Sequence, residues 1–351
     1  MSQVAISIVG LGKLGTGMAA CLASRGFEVV GVEIDPAVVD RFNHGQTVLK
    51  EPGLSALLSA HRARVRATLD VGEAIRATQV TCVIVPTPSA SDGGFSLHDV
   101  LQAMQGIGRA LAEKSSYHLV VLTSTVLPGS MVQAVQPALE ASSGKGCGLS
   151  FGLCYSPLFI SLGSVIRDLL HPDLVLIGES DDQAGSLLAS VYDTLCENRP
   201  AVTRMNFVNA ELTKLALNTY VTTKISFANM LVELCERLPG ADIDIVTRSL
   251  GHDSRVGGRY LTGALSYGGP CFPRDNVAMS YLARQLGCRA WLSESTAHTN
   301  RWHAAQVVAR IQHQLDAGMA VGVLGLAYKP DTDIVEESAG MTLAQGLVAA
   351  G

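Results

Sequence analysis

Between Gly268 and Asp275 the chain reads Gly-Gly-Pro-Cys-Phe-Pro-Arg-Asp. A flexible Gly-Gly pair and a proline precede Cys271, and one basic and one acidic side chain, Arg274 and Asp275, follow it within four residues. A thiol attacks carbon as the thiolate, and a nearby cation favours that form, so Cys271 is a candidate nucleophile. A surface turn around an inert, buried cysteine has the same composition. A second pair, Lys214 and Asn218, interrupts a run that is otherwise apolar from Phe207 to Cys235. Four residues apart, they share one helix face. An ammonium and an amide on one turn of a buried helix can hold a polar substrate; a lysine reaching for solvent beside an ordinary asparagine is the plainer alternative.

The N-terminal half supplies the elements that would position such chemistry. Val4 to Val9 is a short apolar strand pattern, followed directly by Gly10-Leu11-Gly12-Lys13-Leu14-Gly15. Thr16 to Ser24 reads as a helix ending near Gly26, and Glu28 to Val32 as a second strand leading into Glu33. Strand, GxGxxG, helix and an acid about twenty residues on form a dinucleotide-binding signature. Gly10 permits the tight turn, Gly12 lets backbone approach a pyrophosphate, and Gly15 lets helix and strand pack closely. The helix N-terminus then faces the phosphates. Glu33 would accept hydrogen bonds from the adenosine ribose and repel a 2′-phosphate, which predicts NAD rather than NADP. Further strand-then-turn units run from Val80 to Val85 into Pro86-Thr87-Pro88, from Leu119 to Leu122 into Thr123-Ser124-Thr125, and from Leu174 to Ile177 into Gly178. Alternation of strands with helical stretches predicts a parallel sheet with ligands at the strand C-terminal ends, so Thr87 and Thr125 are expected to line the cofactor cleft.

Composition bounds the rest. The 351 residues are 48% hydrophobic and 16% charged, which suits two or three globular domains. A net charge of -5 with no basic block argues against nucleic acid or an acidic membrane as partner. No stretch approaches a membrane span, and no charged n-region precedes the first strand, so neither a transmembrane helix nor a signal peptide is expected. The eight cysteines stand singly, without a CxxC, and the nine histidines form no HExxH, so no metal site is expected. Scattered cysteines fit a reducing cytoplasm. The greasy helix from Phe207 to Cys235 must be buried in a core or against a second subunit. Near the end, Val321 to Leu326 reads as a strand and Met341 to Ala350 as a helix. A βαβ unit needs about thirty residues, more than follow Leu326, so the expectation is the opening of a third domain without its remainder.

Taken together, the chain resembles the UDP-glucose/GDP-mannose dehydrogenase family from about Val4 to Ser338. The resemblance rests on Gly10-Leu11-Gly12, Glu51-Pro52-Gly53-Leu54, Ser124-Thr125, Lys214-x-x-x-Asn218, Gly268 to Asp275, and Gly325-Leu326-Ala327-Tyr328-Lys329-Pro330. It implies an α/β chain: an NAD-binding Rossmann-type parallel sheet (1–200), a central all-helical dimerisation domain (201–300), and the start of a truncated second α/β domain for the nucleotide sugar (301–351). The implied reaction takes the C6 alcohol of an NDP-hexose to the carboxylate by two hydride transfers. In that scheme Cys271 captures the C6 aldehyde as a thiohemiacetal, which is oxidised to a thioester that water releases. Lys214 and Asn218 hold oxygen near C6, Asp275 handles protons, and Thr125 joins the catalytic set. The implied cofactor set is Gly10, Gly12, Leu14, Gly15, Glu33, Thr87, Thr125 and Arg274. The implied substrate set adds Phe159, Tyr260, Gly268, Tyr328 and Lys329, with Arg255 reaching the substrate of the second copy in a homodimer.

Departures from the family pattern carry their own expectation. Where the family usually has two carboxylates, this chain reads Ser156-Pro157-Leu158-Phe159-Ile160-Ser161-Leu162, with leucine at both positions. The first is the family's usual candidate for activating the hydrolytic water, a general-base contribution of roughly 10²–10⁴. Glu336 stands where the family usually has an arginine near the phosphates. Two alternatives stay open: a β-hydroxyacid dehydrogenase, similar in the Rossmann start and a Lys-x-x-x-Asn helix but without need of Cys271, and a catalytically impaired nucleotide-sugar-binding or partner-binding protein, which these departures and the short tail favour.

Overall fold

The computed structural model of the protein describes residues 4–315 and 319–349. The chain divides into two compact units: residues 1–88 with 95–214, and residues 89–94 with 215–351.

The first unit is a sheet with helices on both faces. In chain order it runs β1 (Ile6–Val9), α1 (Lys13–Ser24), β2 (Val29–Val32), α2 (Pro36–Asn43), α3 (Leu54–Ala60), β3 (Val65–Thr68), α4 (Val71–Ala77) and β4 (Val80–Val83). There follow α5 (His98–Glu113), β5 (His118–Leu122), α6 (Gln136–Ser143), β6 (Phe151–Tyr155), α7 (Val165–Leu170), β7 (Leu174–Glu179), α8 (Asp182–Leu195) and β8 (Ala201–Met205). The strands lie in the order β3-β2-β1-β4-β5-β6-β7-β8, all neighbours parallel except β6 and β7. Strands such as Val80–Val83 and His118–Leu122 are buried along their whole length, as parallel strands covered on both sides must be. Ile6, Ile8, Leu119 and Val121 pack with Met18, Leu58, Leu169 and Leu188 in one core. Val83, Val120 and Leu122 pack with Ile75, Met104, Ile107 and Leu139 in another. Asp35, Asp70 and Asp181 cap α2, α4 and α8 through backbone N–H groups, which stops each preceding turn where the helix must begin. Chain order reverses between β1 and β4, and in open α/β sheets that switch point marks the ligand crevice.

The division between the units falls within the 29-residue helix α9 (Phe207–Cys235). The second unit continues with α10 (Ile243–Gly251), α11 (Phe272–Gln285), α12 (Trp291–Gln314) and α13 (Ala339–Ala349). Polar side chains on buried faces find each other. Thr223 and Thr296 hydroxyls lie 3.1 Å apart, and the Asn276 amide donates to the Thr222 hydroxyl at 2.9 Å. The expected helix at the chain's end is α13; residue 350, to which it was expected to run, lies outside the described residues. The expected strand from Val321 to Leu326 does not form. A strand needs a neighbour to take its N–H and C=O groups, none pairs with this segment among the described residues, and Leu324 is fully exposed. Among the described residues no helix is long and apolar enough to cross a membrane, and no cluster of three or more His, Cys, Asp or Glu could hold a metal ion.

Candidate active site

In the first unit the glycine turn is built by steric exclusion. Gly10 has φ +96°, and a Cβ there would collide with the Ile84 carbonyl. A Cβ on Gly15 would collide with the carbonyl of Gly10. Both glycines therefore serve the protein's own packing. Gly12 differs: a Cβ there would meet nothing within 4 Å, so the absence of a side chain leaves room outside the protein's own packing. Glu33 closes the β2 end. Its carboxylate accepts from the Leu11 N–H at 2.9 Å and the Ile34 N–H at 2.7 Å, which fixes it while leaving lone pairs for sugar hydroxyls. Open backbone at a helix N-terminus and a fixed acid at the next strand's end fit a dinucleotide with an unphosphorylated ribose. Leu14 is half-buried on the first turn of α1.

The loops after β4 and β5 are stitched together. Ser124 Oγ donates to the Val85 carbonyl at 2.6 Å and accepts from its N–H at 3.0 Å. Thr87 Oγ1 donates to the Thr125 carbonyl at 2.8 Å. Thr87 and Thr125, expected from sequence to line one cleft, are thus adjacent.

The segment after β6 carries Leu158, Phe159 and Leu162. Lys214 is buried; its ammonium donates to the Leu158 carbonyl at 2.7 Å and lies 4.7 Å from the centre of the Phe159 ring. The Leu158 and Leu162 side chains, in place of carboxylates, pack against the hydrophobic core. Glu51 has a role that its Glu-Pro-Gly-Leu motif did not reveal. Its carboxylate accepts from the N–H groups of Gly163 and Val165, both at 2.7 Å, and so pins the far end of this segment to the start of α7. The partners are more than a hundred residues apart, a separation that no local pattern encodes.

In the second unit, Cys271 is exposed and is the residue at which α11 begins, with Pro in the helix's first two positions. One turn on, Asp275 is only 2% exposed, and its Oδ2 accepts from the Asn218 amide at 2.6 Å. Arg274 Nε lies 3.8 Å from the other oxygen of that carboxylate. Asn218, Asp275, Arg274 and Cys271, singled out separately in the sequence, thus share one end of α11. Gly268 and Gly269 are both sterically required: a Cβ on the first would strike the Glu337 carbonyl, and one on the second the Tyr328 ring. Tyr328 and the Cys271 segment are therefore neighbours. Tyr260 adopts φ +62°, rare for a residue with a side chain, and meets Phe272 edge-on at 6.4 Å. Arg255 is exposed and bound to Asp253 at 2.6 Å. Lys329 is half-buried beside Tyr328 in the chain.

Along α9 in this unit the apolar residues divide. Leu215, Val221 and Ala228 are buried, whereas Tyr220, Phe227, Met230 and Leu234 are exposed on one face.

Residues 4–196 match the NAD binding domain of the UDP-glucose/GDP-mannose dehydrogenase family, and residues 208–302 match that family's central domain. The UDP-glucose 6-dehydrogenase AglM of Haloferax volcanii is 37% identical over 350 residues, 99% of this chain and 81% of that protein. A GDP-mannose 6-dehydrogenase of Azotobacter vinelandii is 37% identical over 352 residues, 99% of this chain and 79% of that one. The structure of a UDP-glucose dehydrogenase from the hyperthermophilic archaeon Pyrobaculum islandicum superimposes with a TM-score of 0.90 at 35% identity, covering 99% of this chain and 80% of that one. Neither family match leads toward the β-hydroxyacid dehydrogenases. The chain belongs to the UDP-glucose/GDP-mannose dehydrogenase family, the NAD-dependent nucleotide-sugar dehydrogenases.

Proposed function

We propose that the protein oxidises the C6 alcohol of an NDP-hexose of the UDP-glucose type to the carboxylate, through a covalent intermediate on Cys271. The observation that carries this reading is an exposed cysteine at the N-terminal end of α11, one turn from a buried carboxylate held by Asn218. A helix N-terminus stabilises negative charge, and so favours the attacking thiolate. Gly10, Gly12, Leu14, Gly15, Glu33, Thr87, Thr125 and Arg274 would hold NAD. NAD supplies the hydride acceptor for both oxidations.

The chain's own residues do the remainder. Lys214 and Asn218, one turn apart on α9, hold the oxygen at C6 as its proton leaves; preorganised donors of this kind stabilise a developing oxyanion. Cys271 Sγ then bonds to the aldehyde carbon while the carbonyl oxygen takes a proton, which keeps the aldehyde from escaping. Loss of a second hydride from carbon, with the hydroxyl proton, leaves a thioester. Water attacks it, the C–S bond breaks, and the carboxylate departs as the thiol is restored. That last step lacks the usual base, because Leu158 presents only carbon; it rests on Asp275 and solvent, and is slow. Phe159, Tyr260, Gly268, Tyr328 and Lys329 would contact the nucleotide sugar. A division into a cofactor part to about residue 200, a helical part to about 300 and a nucleotide-sugar part beyond it fits these roles.

The exposed stripe of Tyr220, Phe227, Met230 and Leu234 is the surface on which two copies would pair, with Arg255 serving the partner's substrate. Light scattering should give twice the chain mass. The function itself is tested by NADH formation across NDP-sugars, where the expected result is two NADH per sugar consumed. One NADH per sugar, or none with any NDP-sugar, would overturn the reading; none would favour a binding protein, to which the leucines at 158 and 162 already incline.

A further inference from the structure

Ten residues lead into Cys271 without any regular structure, yet their backbone is fixed. Leu261 to Pro270 belongs to no helix or strand, so its peptide groups must find partners elsewhere. Three side chains supply them at Ala264 and Tyr267. From α9, the Asn229 carbonyl oxygen accepts the Ala264 N–H at 2.8 Å. From α12, His303 Nε2 meets the Ala264 carbonyl at 2.9 Å. One turn earlier on α12, Asn300 takes both groups of Tyr267, accepting its N–H at 2.8 Å and donating to its carbonyl at 2.9 Å. The two asparagine contacts mimic the paired bonds of a β-ladder partner. The Tyr267 ring, buried, then lies edge-on to Phe272 at 6.3 Å, and Phe272 is the residue after Cys271.

His303 anchors this arrangement. It is 1% exposed, and its Nδ1 faces Glu233 Oε1 at 3.0 Å. A carbonyl only accepts, so Nε2 carries a proton and donates to Ala264. Glu233 holds the Nδ1 side of the ring. The ring is thus locked by α9 on one side and presents a fixed donor to the loop on the other, as an oriented histidine does beside a metal or a serine.

We propose that His303, oriented by Glu233 and assisted by Asn229 and Asn300, is a positioning residue for Cys271. It acts through Ala264, Tyr267 and Phe272 and has no contact with substrate of its own. The inference rests on Cys271 as nucleophile, but its test does not depend on turnover. In His303→Gln the new amide takes the place of Nε2 and keeps the donor to Ala264. In His303→Asn the shorter amide takes the place of Nδ1, keeps the Glu233 contact and drops the loop. A residue that mattered only for pairing with Glu233 would favour Asn over Gln; a loop anchor favours Gln.

The experiment measures alkylation of Cys271 by iodoacetamide, followed by peptide mass spectrometry, and the initial rate of NADH formation with UDP-glucose. The Asn variant should alkylate at least about threefold more slowly than the parent, with NADH formation down roughly tenfold or more, since small misplacements of a reacting group cost this much. The Gln variant should stay within about threefold of the parent on both measures. Equal alkylation in all three proteins, or Asn closer to the parent than Gln, overturns the inference. Asn300→Asp, which keeps the acceptor for the Tyr267 N–H and loses the donor to its carbonyl, gives the same readout should His303→Asn not fold. It should lower alkylation as His303→Asn does, and a parent-like rate would likewise overturn the proposal. Cys271→Ser with undiminished NADH formation would instead sink the nucleophile reading, and leaves the positioning result to be judged by alkylation alone.

Discussion

The glycine turn of the first unit and the cysteine segment of the second solve the same problem, placing a reactive partner, by opposite means. At Gly10 and Gly15 the carbonyls of Ile84 and Gly10 exclude side chains, so geometry follows from backbone steric rules. Around Cys271 the loop is irregular and is held by Asn229, Asn300 and His303, which lie up to 39 residues from the Ala264 or Tyr267 groups they hold and belong to helices. A backbone steric device is robust, while a network of side-chain hydrogen bonds fails piecemeal, because each lost partner leaves a buried polar group unsatisfied. The first should break by unfolding or by losing its ligand, the second by losing rate.

The largest effect is expected at the nucleophile. Cys271→Ser should lower conversion of NDP-sugar to acid by about 10³-fold or more, since a serine hydroxyl is far less nucleophilic than a thiolate. The thermal midpoint should hardly move, because the side chain is exposed. Parent-like acid production would remove the contrast altogether.

Within the glycine turn the comparison sharpens to two residues three apart. Gly15→Ala should destabilise the protein by about 1–3 kcal/mol, as overpacking does, because its Cβ collides with the Gly10 carbonyl. Gly12→Ala should leave the melting temperature unchanged and weaken NAD binding by about tenfold or more, since its Cβ meets only the space that a pyrophosphate would use. Calorimetric melting and NAD titration of both variants check this; equal loss of stability would contradict it.

The effect that is smallest at neutral pH lies within the sheet itself. His118 is fully buried on β5, bonded through Nε2 to Thr81 at 2.7 Å, with no hydrogen-bond partner for Nδ1 among the described residues. Burial, and next the Lys114 ammonium, push its pKa down to about 3. The unfolded chain therefore binds a proton that the folded one refuses between about pH 3 and the usual imidazole value near 6.5. Its contribution to stability is present above that window and is lost as pH falls through it, by at most about 1.4 kcal/mol per pH unit. His118→Gln should flatten the acid limb of the stability profile in urea titrations, and an unchanged slope would count against this.

The same contrast explains what the sequence alone revealed. Strand β1, the turn, α1 and Glu33 were legible because each signal is local and periodic. The β4 and β5 loops were legible for the same reason. Strands β3, β6 and β8 were not singled out: Val65–Thr68 and Ala201–Met205 are short and carry exposed or charged residues, and so lack an uninterrupted apolar run. The apolar run at Val321–Leu326 misled because hydrophobicity without a pairing neighbour does not make a strand. The Lys-x-x-x-Asn spacing was visible, but the Asn218–Asp275 bond was not. Neither were Glu51's grip on Gly163 and Val165 or the anchoring of Ala264 by His303. Each of these joins residues distant in sequence, and no periodicity announces such a pair.

The central claim is a covalent intermediate whose release is slowed by an aliphatic side chain at position 158. The most direct measurement is the intact mass of the protein after incubation with NAD and UDP-glucose, for the parent and for Leu158→Glu. Lys214 binds the backbone carbonyl of residue 158, so the substitution leaves that contact available. The account predicts a glucuronyl-nucleotide adduct on the parent that maps to Cys271, and its disappearance in Leu158→Glu as acid release accelerates by roughly 10²-fold. No adduct on the parent together with brisk production of the acid would contradict it.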